Sequence, residues 1–434
     1  MTAATQSTWT IFFLINDLDS VGGSSQLFCT IAIEVQRAGH RVSVYTDHPP
    51  SSDNRYVSQL QHAGISVNAG VAGDAGDRRQ MHAFSPVRFA AALSRHTGGN
   101  VQRMARRLER LLIHRRFTHR CKLAFLAAAQ ESRREGSRAL VHVHRGAHGI
   151  RWAHAARLPA VYVENSTPMP NAHIDWWFAP KPSSESHAAR GWRRLRRVAP
   201  WIDLLIAGSE RAAHGVRDVI GYSGPIATLP WMVPLAADGG APRSEPTDAF
   251  VLGTAGRLEA EKGHSFLIEA LPRLVQSNDV RLVVAGDGSL HSALQGLATQ
   301  LGVRDRIEFC GAQDDAGMER FWDRIDLLVL PSLREGSPLV ALEAMARRIP
   351  VLATDVGGVR ELLDGGSCGR VVEARSAAAL ADGILEMIAD PARRQRLAQA
   401  GYERFMSIHA PSSAAPRWLA TYQSVLEHSA WSRG

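Results

Sequence analysis

Residues 326–363 read DLLVLPSLREGSPLVALEAMARRIPVLATDVGGVRELL, and this stretch decides the fold class. Residues 327–330 are a four-residue apolar run bounded by Pro331, which predicts a short buried strand. A polar turn follows over 332–337. Pro338 suits a first helical position, where its missing N–H costs nothing. Leu339, Leu342, Met345 and Ala346 then recur at helical spacing. The helix is expected to end before Ile349-Pro350, with a second strand over 351–353. Strand, helix, strand in this order is a unit of a parallel sheet, so the class is α/β and doubly wound. Ligands on such sheets bind beyond the carboxyl ends of the strands.

Two carboxylates mark that end. Glu335 is in the turn, and Glu343 follows eight residues later, about two turns into the helix. Helical side chains lean toward the helix N-terminus, so Glu343 reaches back toward the turn. The helix start over Gly336, Ser337, Pro338, Leu339 and Val340 offers free N–H groups and partial positive charge, a seat for phosphate. Carboxylates beside it accept hydrogen bonds from hydroxyls. Phosphate plus two sets of hydroxyls describes a nucleotide sugar. The spacing E-x7-E alone leaves the alternative open: Glu335 as a helix cap and Glu343 as a solvated surface residue.

The full string P-S-x-x-E-G-S-P-L-V-x-x-E-A-M-A…P-V-x-A-T-D-V-G-G-x-x-E closely resembles the signature of family 4 retaining glycosyltransferases of the GT-B fold (glycosyltransferase group 1). The resemblance implies two Rossmann-like doubly wound domains facing a cleft, with a C-terminal helix crossing back. It implies that Glu335 binds hydroxyls of the donor sugar and Glu343 the nucleotide ribose. Ser337 stands where that family usually has Phe, and Arg347-Arg348 where a Gly is common.

Further segments carry the same resemblance. Gly256-Arg257-Leu258-Glu259-Ala260-Glu261-Lys262-Gly263 is similar to the family's phosphate-binding loop. One planar guanidinium and one ammonium suit a diphosphate leaving group, although two solvated cations are the plain alternative. Gly286-Asp287-Gly288-Ser289 after a strand over 281–285 is also family-like. In the strand L-V-H-V-H over 140–144, His142 and His144 share a face. The resemblance places His144 beside the donor sugar, whereas a lone His is more often structural. Gly22-Gly23, in a turn over 17–25 ahead of a helix over 26–38, is similar to the family's Gly-Gly loop under the donor; a plain tight turn is the alternative. No His stands near Glu164, where the family often has one. Residues 201–207, with Ser209-Glu210, resemble the family's D-x-x-x-x-x-S strand end. Trp231 replaces the Asn of a P-N-G-V segment. The expected catalytic set is Glu335, Arg257, Lys262 and His144.

Length allows two domains, and the apolar and charged fractions fit a globular chain. No apolar run approaches the ~18–20 residues of a membrane helix. The run 9–15 lacks a basic flank and a cleavage site, so it is expected to be a first strand and not a signal peptide. Cys29, Cys121, Cys310 and Cys368 form no C-x-x-C pair, which points to a reducing cytoplasm and away from zinc or disulfides. The net charge of +8 is uneven: residues 1–236 hold 29 Lys+Arg against 16 Asp+Glu, residues 237–434 hold 21 against 26. Arg103, Arg106, Arg107, Arg110, Arg115, Arg116 and Arg120 lie in a helical stretch over 86–138 with Leu108, Leu111, Leu112, Ile113 and Phe117. Arg190, Arg193, Arg194, Arg196 and Arg197 flank Trp192, near Trp201. An anionic membrane surface and a merely solvated arginine face both explain these clusters. No nucleic-acid module is present.

The expected boundaries are 1–236 for an acceptor-binding domain, 237–248 for a linker, 249–410 for the nucleotide-sugar domain, and 411–434 for the returning segment, helical over 416–431. The expected reaction is transfer of a sugar from a nucleotide diphosphate sugar to a hydroxyl of a saccharide, lipid-linked or small-molecule acceptor. Retention of configuration, no metal and no cofactor are implied by the resemblance; Asp17-Leu18-Asp19 is not a convincing D-x-D setting. With the resemblance goes an expected setting in bacterial surface polysaccharide or glycolipid synthesis, cytoplasmic from the cysteine spacing and peripheral on the inner membrane face from the basic half. The competing readings are a GT-B nucleotide-sugar epimerase, a non-catalytic nucleotide-sugar binder, and a dinucleotide oxidoreductase, the last opposed by the missing G-x-G-x-x-G.

Overall fold

A computed structural model of the chain describes residues 8–16, 18, 23–46, 48, 50, 51, 54–68, 100–144, 146–165, 187–235 and 249–429, with only the backbone over 100–116 and 187–190. Two parallel sheets are present. The first contains β1 (Thr10–Ile15), β2 (Arg41–Thr46), β3 (Ser66–Asn68), β4 (Ala139–His144), β5 (Ala160–Glu164), β6 (Leu204–Ala207) and β7 (Ile226–Thr228). Its order is β3-β2-β1-β4-β5-β6-β7. The second contains β8 (Phe250–Ala255), β9 (Val280–Ala285), β10 (Ile307–Gly311), β11 (Leu327–Leu330), β12 (Val351–Thr354) and β13 (Arg370–Val372). Its order is β10-β9-β8-β11-β12-β13. Strands β1, β11 and β12 are buried at every position, which their unbroken apolar runs require when helices cover both faces.

Each sheet reverses its strand order once. The reversal falls between β1 and β4 in the first domain and between β8 and β11 in the second. Loops leaving such a pair run in opposite directions and open a crevice at the carboxyl ends. The segments holding Gly23, His144, Lys262 and Glu335 leave these four strands.

The helix Pro411–His428 crosses back onto the first domain, as the resemblance implies. Trp418 donates its indole N–H to the Pro230 carbonyl at 3.0 Å, and Arg138 donates to the Leu426 carbonyl at 2.7 Å. Ser429 Oγ closes onto Asp203 at 2.8 Å. Trp231 is buried in this seam, 6.0 Å from Trp418. Gly208 makes room for it, since a Cβ there would lie 2.4 Å from the Trp231 ring.

Three boundaries differ from the sequence expectation. The C-terminal helix starts at Pro411, not near 416, because Pro411 takes the first-turn position and Pro416 is tolerated inside. The first helix spans Gly23–Arg37, three residues longer at its start, so Gly23 is helical and not part of a turn. Pro338 is extended (φ −71°, ψ 112°) and precedes the helix Leu339–Ala346 as its cap residue.

Candidate functional site

In the second domain, the loop after β8 and the turn after β11 are stitched together. Leu333 N–H donates to the Glu261 carbonyl at 2.8 Å. Gly263, at φ +63°, sits where a Cβ would lie 2.1 Å from the Pro331 carbonyl oxygen, so no side chain fits. This approach brings Lys262 onto Glu335. The ammonium donates to Glu335 Oε1 at 2.7 Å, and Ser332 Oγ donates to the same oxygen at 2.6 Å. Glu335 is 8% exposed, and the cap residue of the following helix is Pro338 and not Glu335. A second helix, His264–Val275, starts immediately after Lys262 with Gly263 as its cap. His264 is buried, neither ring nitrogen has a hydrogen-bond partner among the described residues, and burial followed by the Lys262 charge pushes its pKa down to about 3.

Arg257 lies on the rim. Its side chain is 55% exposed and bonds Glu261 at 2.7 Å. Gly286 is held by the strands: its N–H donates to the Gly311 carbonyl at 2.8 Å, and a Cβ would lie 1.9 Å from the Gly256 oxygen. Its glycine identity therefore serves the junction of β8, β9 and β10. Gly336 accepts from Gly358 N–H at 2.9 Å, which ties the turn to the segment after β12. Ser337 and Pro338 complete the turn, and Leu339 and Val340 begin the helix.

Glu343 lies two turns into that helix and is half-buried. It bonds the side chain of Gln26 in the first domain and sits near the charges of Arg347 and Arg55. Burial, the largest influence, raises its carboxyl pKa despite these partners.

The first domain meets this surface at the start of its first helix. A Cβ on Gly23 would lie 2.7 Å from Leu339 Cδ1, so the lack of a side chain lets the two helix starts approach. That contact, rather than a turn beneath a ligand, is what the structure assigns to Gly23. Gly22, Asp17 and Asp19 lie outside the described residues. Ser24, the next residue, lies 3.1 Å from His144 Nε2, and Asn165 Nδ2 lies 2.5 Å from the same nitrogen. His144 ends β4 and is fully buried. The structure thus brings Glu335, Lys262, Leu339 and Gly23 together, reaches His144 through Ser24, and leaves Arg257 at the edge.

Several residues here gave no usable signal in the sequence, because their partners are far away in the chain. Glu361 accepts from Glu210 N–H at 2.8 Å and Arg211 N–H at 3.0 Å, capping the first-domain helix Glu210–Gly215 from the other domain. Arg55 pairs with Asp315 across the same divide. Of the basic clusters, the side chains of Arg103 to Arg116 and of Arg190 lie outside the described residues. Arg193, Arg194 and Arg197 are exposed, Arg196 is tied to the Ile220 carbonyl at 2.8 Å, and Trp201 is exposed and stacked on His154 at 4.3 Å.

Residues 241–404 match the family described as glycosyl transferases group 1. The group 1 stretch holds Arg257, Lys262, Gly286, Glu335 and Glu343, while His144 and Gly23 lie outside it. Among curated relatives, the lipopolysaccharide core biosynthesis glycosyltransferase LpsE of Rhizobium meliloti is 37% identical over 158 residues, 36% of this chain and 45% of that protein. The chain spans 35% to 45% of the length of the first curated relatives it matches. Solved structures are similar over nearly the whole chain. Sucrose-phosphate synthase from Thermosynechococcus elongatus has a TM-score of 0.69 at 18% identity, covering 97% of this chain and 100% of that one. Anabaena HepE in complex with UDP-glucose has a TM-score of 0.67 at 19% identity, covering 96% and 99%. The fold is GT-B.

Proposed function

We propose that the chain is a retaining glycosyltransferase that moves a sugar from a nucleotide diphosphate sugar to an acceptor hydroxyl. The observation that carries this reading is the pairing of Lys262 with the buried Glu335 at the β8/β11 reversal, directly before a helix start and across from the β1/β4 reversal that ends in His144. A carboxylate already oriented by an ammonium and a hydroxyl is fitted to accept from sugar hydroxyls. Lys262, with Arg257 at the rim, meets the charge that develops on the leaving diphosphate, as does the uncapped start of the helix Leu339–Ala346. Glu343 takes the ribose hydroxyls, exchanging Gln26 for the nucleotide. Gly336, Ser337, Pro338 and Val340 line the phosphate seat. In this reading no metal or cofactor is required, and attack occurs on the face from which the diphosphate departs. A uridine nucleotide is the first donor to try, because the similar HepE structure is described as a complex with UDP-glucose.

We infer further that the acceptor is a saccharide or a lipid-linked sugar of surface polysaccharide or glycolipid synthesis, met at the inner face of a membrane. The exposed Arg193, Arg194 and Arg197 beside Trp201 support a charged, partly aromatic contact surface. No described helix is long and apolar enough to cross a membrane.

A thermal-shift screen against nucleotide sugars tests the donor reading, since a ligand that binds only the folded state raises its melting temperature. The expected result is a rise with one class of nucleoside diphosphate sugar, followed by transfer when an acceptor is present. Donor consumption without acceptor would assign an epimerase instead. A rise with neither transfer nor hydrolysis would assign a binding protein.

A further inference from the structure

We propose that Tyr422, reaching back from the C-terminal helix, fixes the proton placement of His142 and His144 so that His144 presents an N–H, and not a lone pair, toward the donor sugar. The last clause rests on the role given to His144 above; the proton placement itself does not. Tyr422 and His142 are then positioning residues, and the returning helix acts on the site as well as on stability.

The polar groups form one buried line. Tyr422 OH lies 2.7 Å from His142 Nδ1, and His142 Nε2 lies 3.5 Å from His144 Nδ1. His144 Nε2 then faces Ser24 Oγ at 3.1 Å and Asn165 at 2.5 Å. Tyr422, His142 and His144 are all fully buried. Rings surround His142: Phe13 stacks at 4.5 Å, Phe28 meets it edge-on at 6.1 Å, and Trp418 lies tilted at 6.1 Å. His142 has no other polar partner among the described residues, and neither does the Tyr422 hydroxyl.

That isolation sets the direction. A buried hydroxyl hydrogen without an acceptor is costly, and among the described residues the only acceptor beside the Tyr422 hydroxyl is His142 Nδ1. Tyr422 therefore donates. Burial lowers the His142 pKa to about 3, so the ring is neutral and carries one proton, which must sit on Nε2. That N–H donates to His144 Nδ1. A neutral His144 then carries its proton on Nε2, the nitrogen facing Ser24 and Asn165. The reverse order would make Tyr422 an acceptor and strand its hydrogen.

Asn165 takes its orientation from this proton and does not fix it: its Nδ2 also lies 2.8 Å from Ser24 Oγ. As placed, its Nδ2 faces His144 Nε2 while its buried Oδ1 has no hydrogen-bond partner. An amide oxygen and nitrogen are told apart only by their hydrogen bonds. With an N–H on His144 Nε2, the amide turns over, and Oδ1 accepts from both His144 and Ser24. A hydroxyl oxygen of a hexose is the kind of acceptor that could replace Asn165 or Ser24 there.

Imidazole 15N labelling of the full chain and long-range 1H–15N NMR read which nitrogen of each ring is protonated, with His144→Ala and Tyr422→Phe used for assignment. The expected result is Nε2–H on both His142 and His144 in the resting protein, with a mixture of tautomers on both in Tyr422→Phe. An Nδ1–H tautomer on either ring in the unaltered chain overturns the proposal, whether or not Tyr422→Phe folds and whether or not transfer is observed. For turnover, Tyr422→Phe is expected to lower kcat roughly fivefold with little change in donor KM, the scale of one hydrogen bond. In a His144→Ala background it should do nothing further. Equal losses in both backgrounds would mean that Tyr422 acts on folding alone. Correct tautomers without any transfer would leave the proton placement standing and remove the transferase reading.

Discussion

Glu335 and Lys262 share a single 2.7 Å contact, and that contact makes two kinds of substitution behave differently. Glu335→Ala is expected to lower transfer by ~10²–10³, about 2.7–4 kcal/mol of oriented polar interaction, with the fold retained. Lys262→Ala should lower transfer comparably and also lower the melting temperature, because it leaves a mostly buried carboxylate without its ammonium, a loss of about 3–5 kcal/mol. The double alanine variant should regain melting temperature relative to Lys262→Ala. Steady-state rates and calorimetry on the three variants check this, and near-normal turnover in Glu335→Ala would remove the assignment. Glu343 carries a different signature. Burial raises its pKa in the folded chain, so as pH rises the unfolded chain loses its proton first. The native state is therefore penalised from the ordinary carboxylate range upward, and the penalty vanishes on acidification below that range. Glu343→Gln should melt higher than the unaltered protein at neutral pH, with the gap closing in acid. It should also weaken donor binding, though less than Glu343→Ala, since an amide still accepts one bond. The positions of Glu335, Lys262 and Glu343 were legible because each sits at a fixed offset from a strand end. Ser332, Gln26 and Tyr422 were not, because what they touch is decided by tertiary packing.

At the scale of elements, the strand–helix–strand reading of 326–363 holds nearly to the residue, since short apolar runs closed by proline leave little freedom. Helix starts were less legible. Pro338 and Pro416 each invited a first-turn reading, yet Pro338 is extended as the cap residue and Pro416 lies inside a helix begun by Pro411. The two glycine signals proved to be about backbone approach. Gly286 has φ +143° and no space for a Cβ against Gly256. Gly286→Ala is expected to destabilise the second domain by on the order of 3 kcal/mol or more, combining backbone strain and overpacking. Chemical denaturation measures it; a change under about 0.5 kcal/mol, the scale of an ordinary surface substitution, would show that the strand ends can separate.

For the whole molecule, the two order reversals and the returning helix bring residues from distant parts of the chain into contact. The two-domain plan was legible from the repeated α/β pattern. The contacts across the divide, Glu361 to the 210–211 backbone and Gly23 to Leu339, were not, since neither residue differs locally from a surface Glu or a turn Gly. The basic half belongs to this scale too. Each arginine near an anionic leaflet contributes about 1 kcal/mol, so several acting together hold the protein reversibly. Co-sedimentation with anionic vesicles is expected at low salt and should fall sharply as salt rises, because the attraction is screened within a Debye length. Equal, negligible pelleting with neutral and anionic vesicles would remove the membrane setting and leave the transfer chemistry untouched.

The central claim is that the Lys262–Glu335 crevice transfers a sugar with retention. A proton NMR time course tests it, using the nucleotide sugar that most raises the melting temperature together with its acceptor. The expected result is loss of the donor anomeric signal, release of nucleoside diphosphate, and growth of a product signal with the donor's anomeric configuration. The folded Glu335→Ala protein should run at about 1% of that rate or less. A product of inverted configuration, or equal rates in the two proteins, would show that this crevice does not do this chemistry.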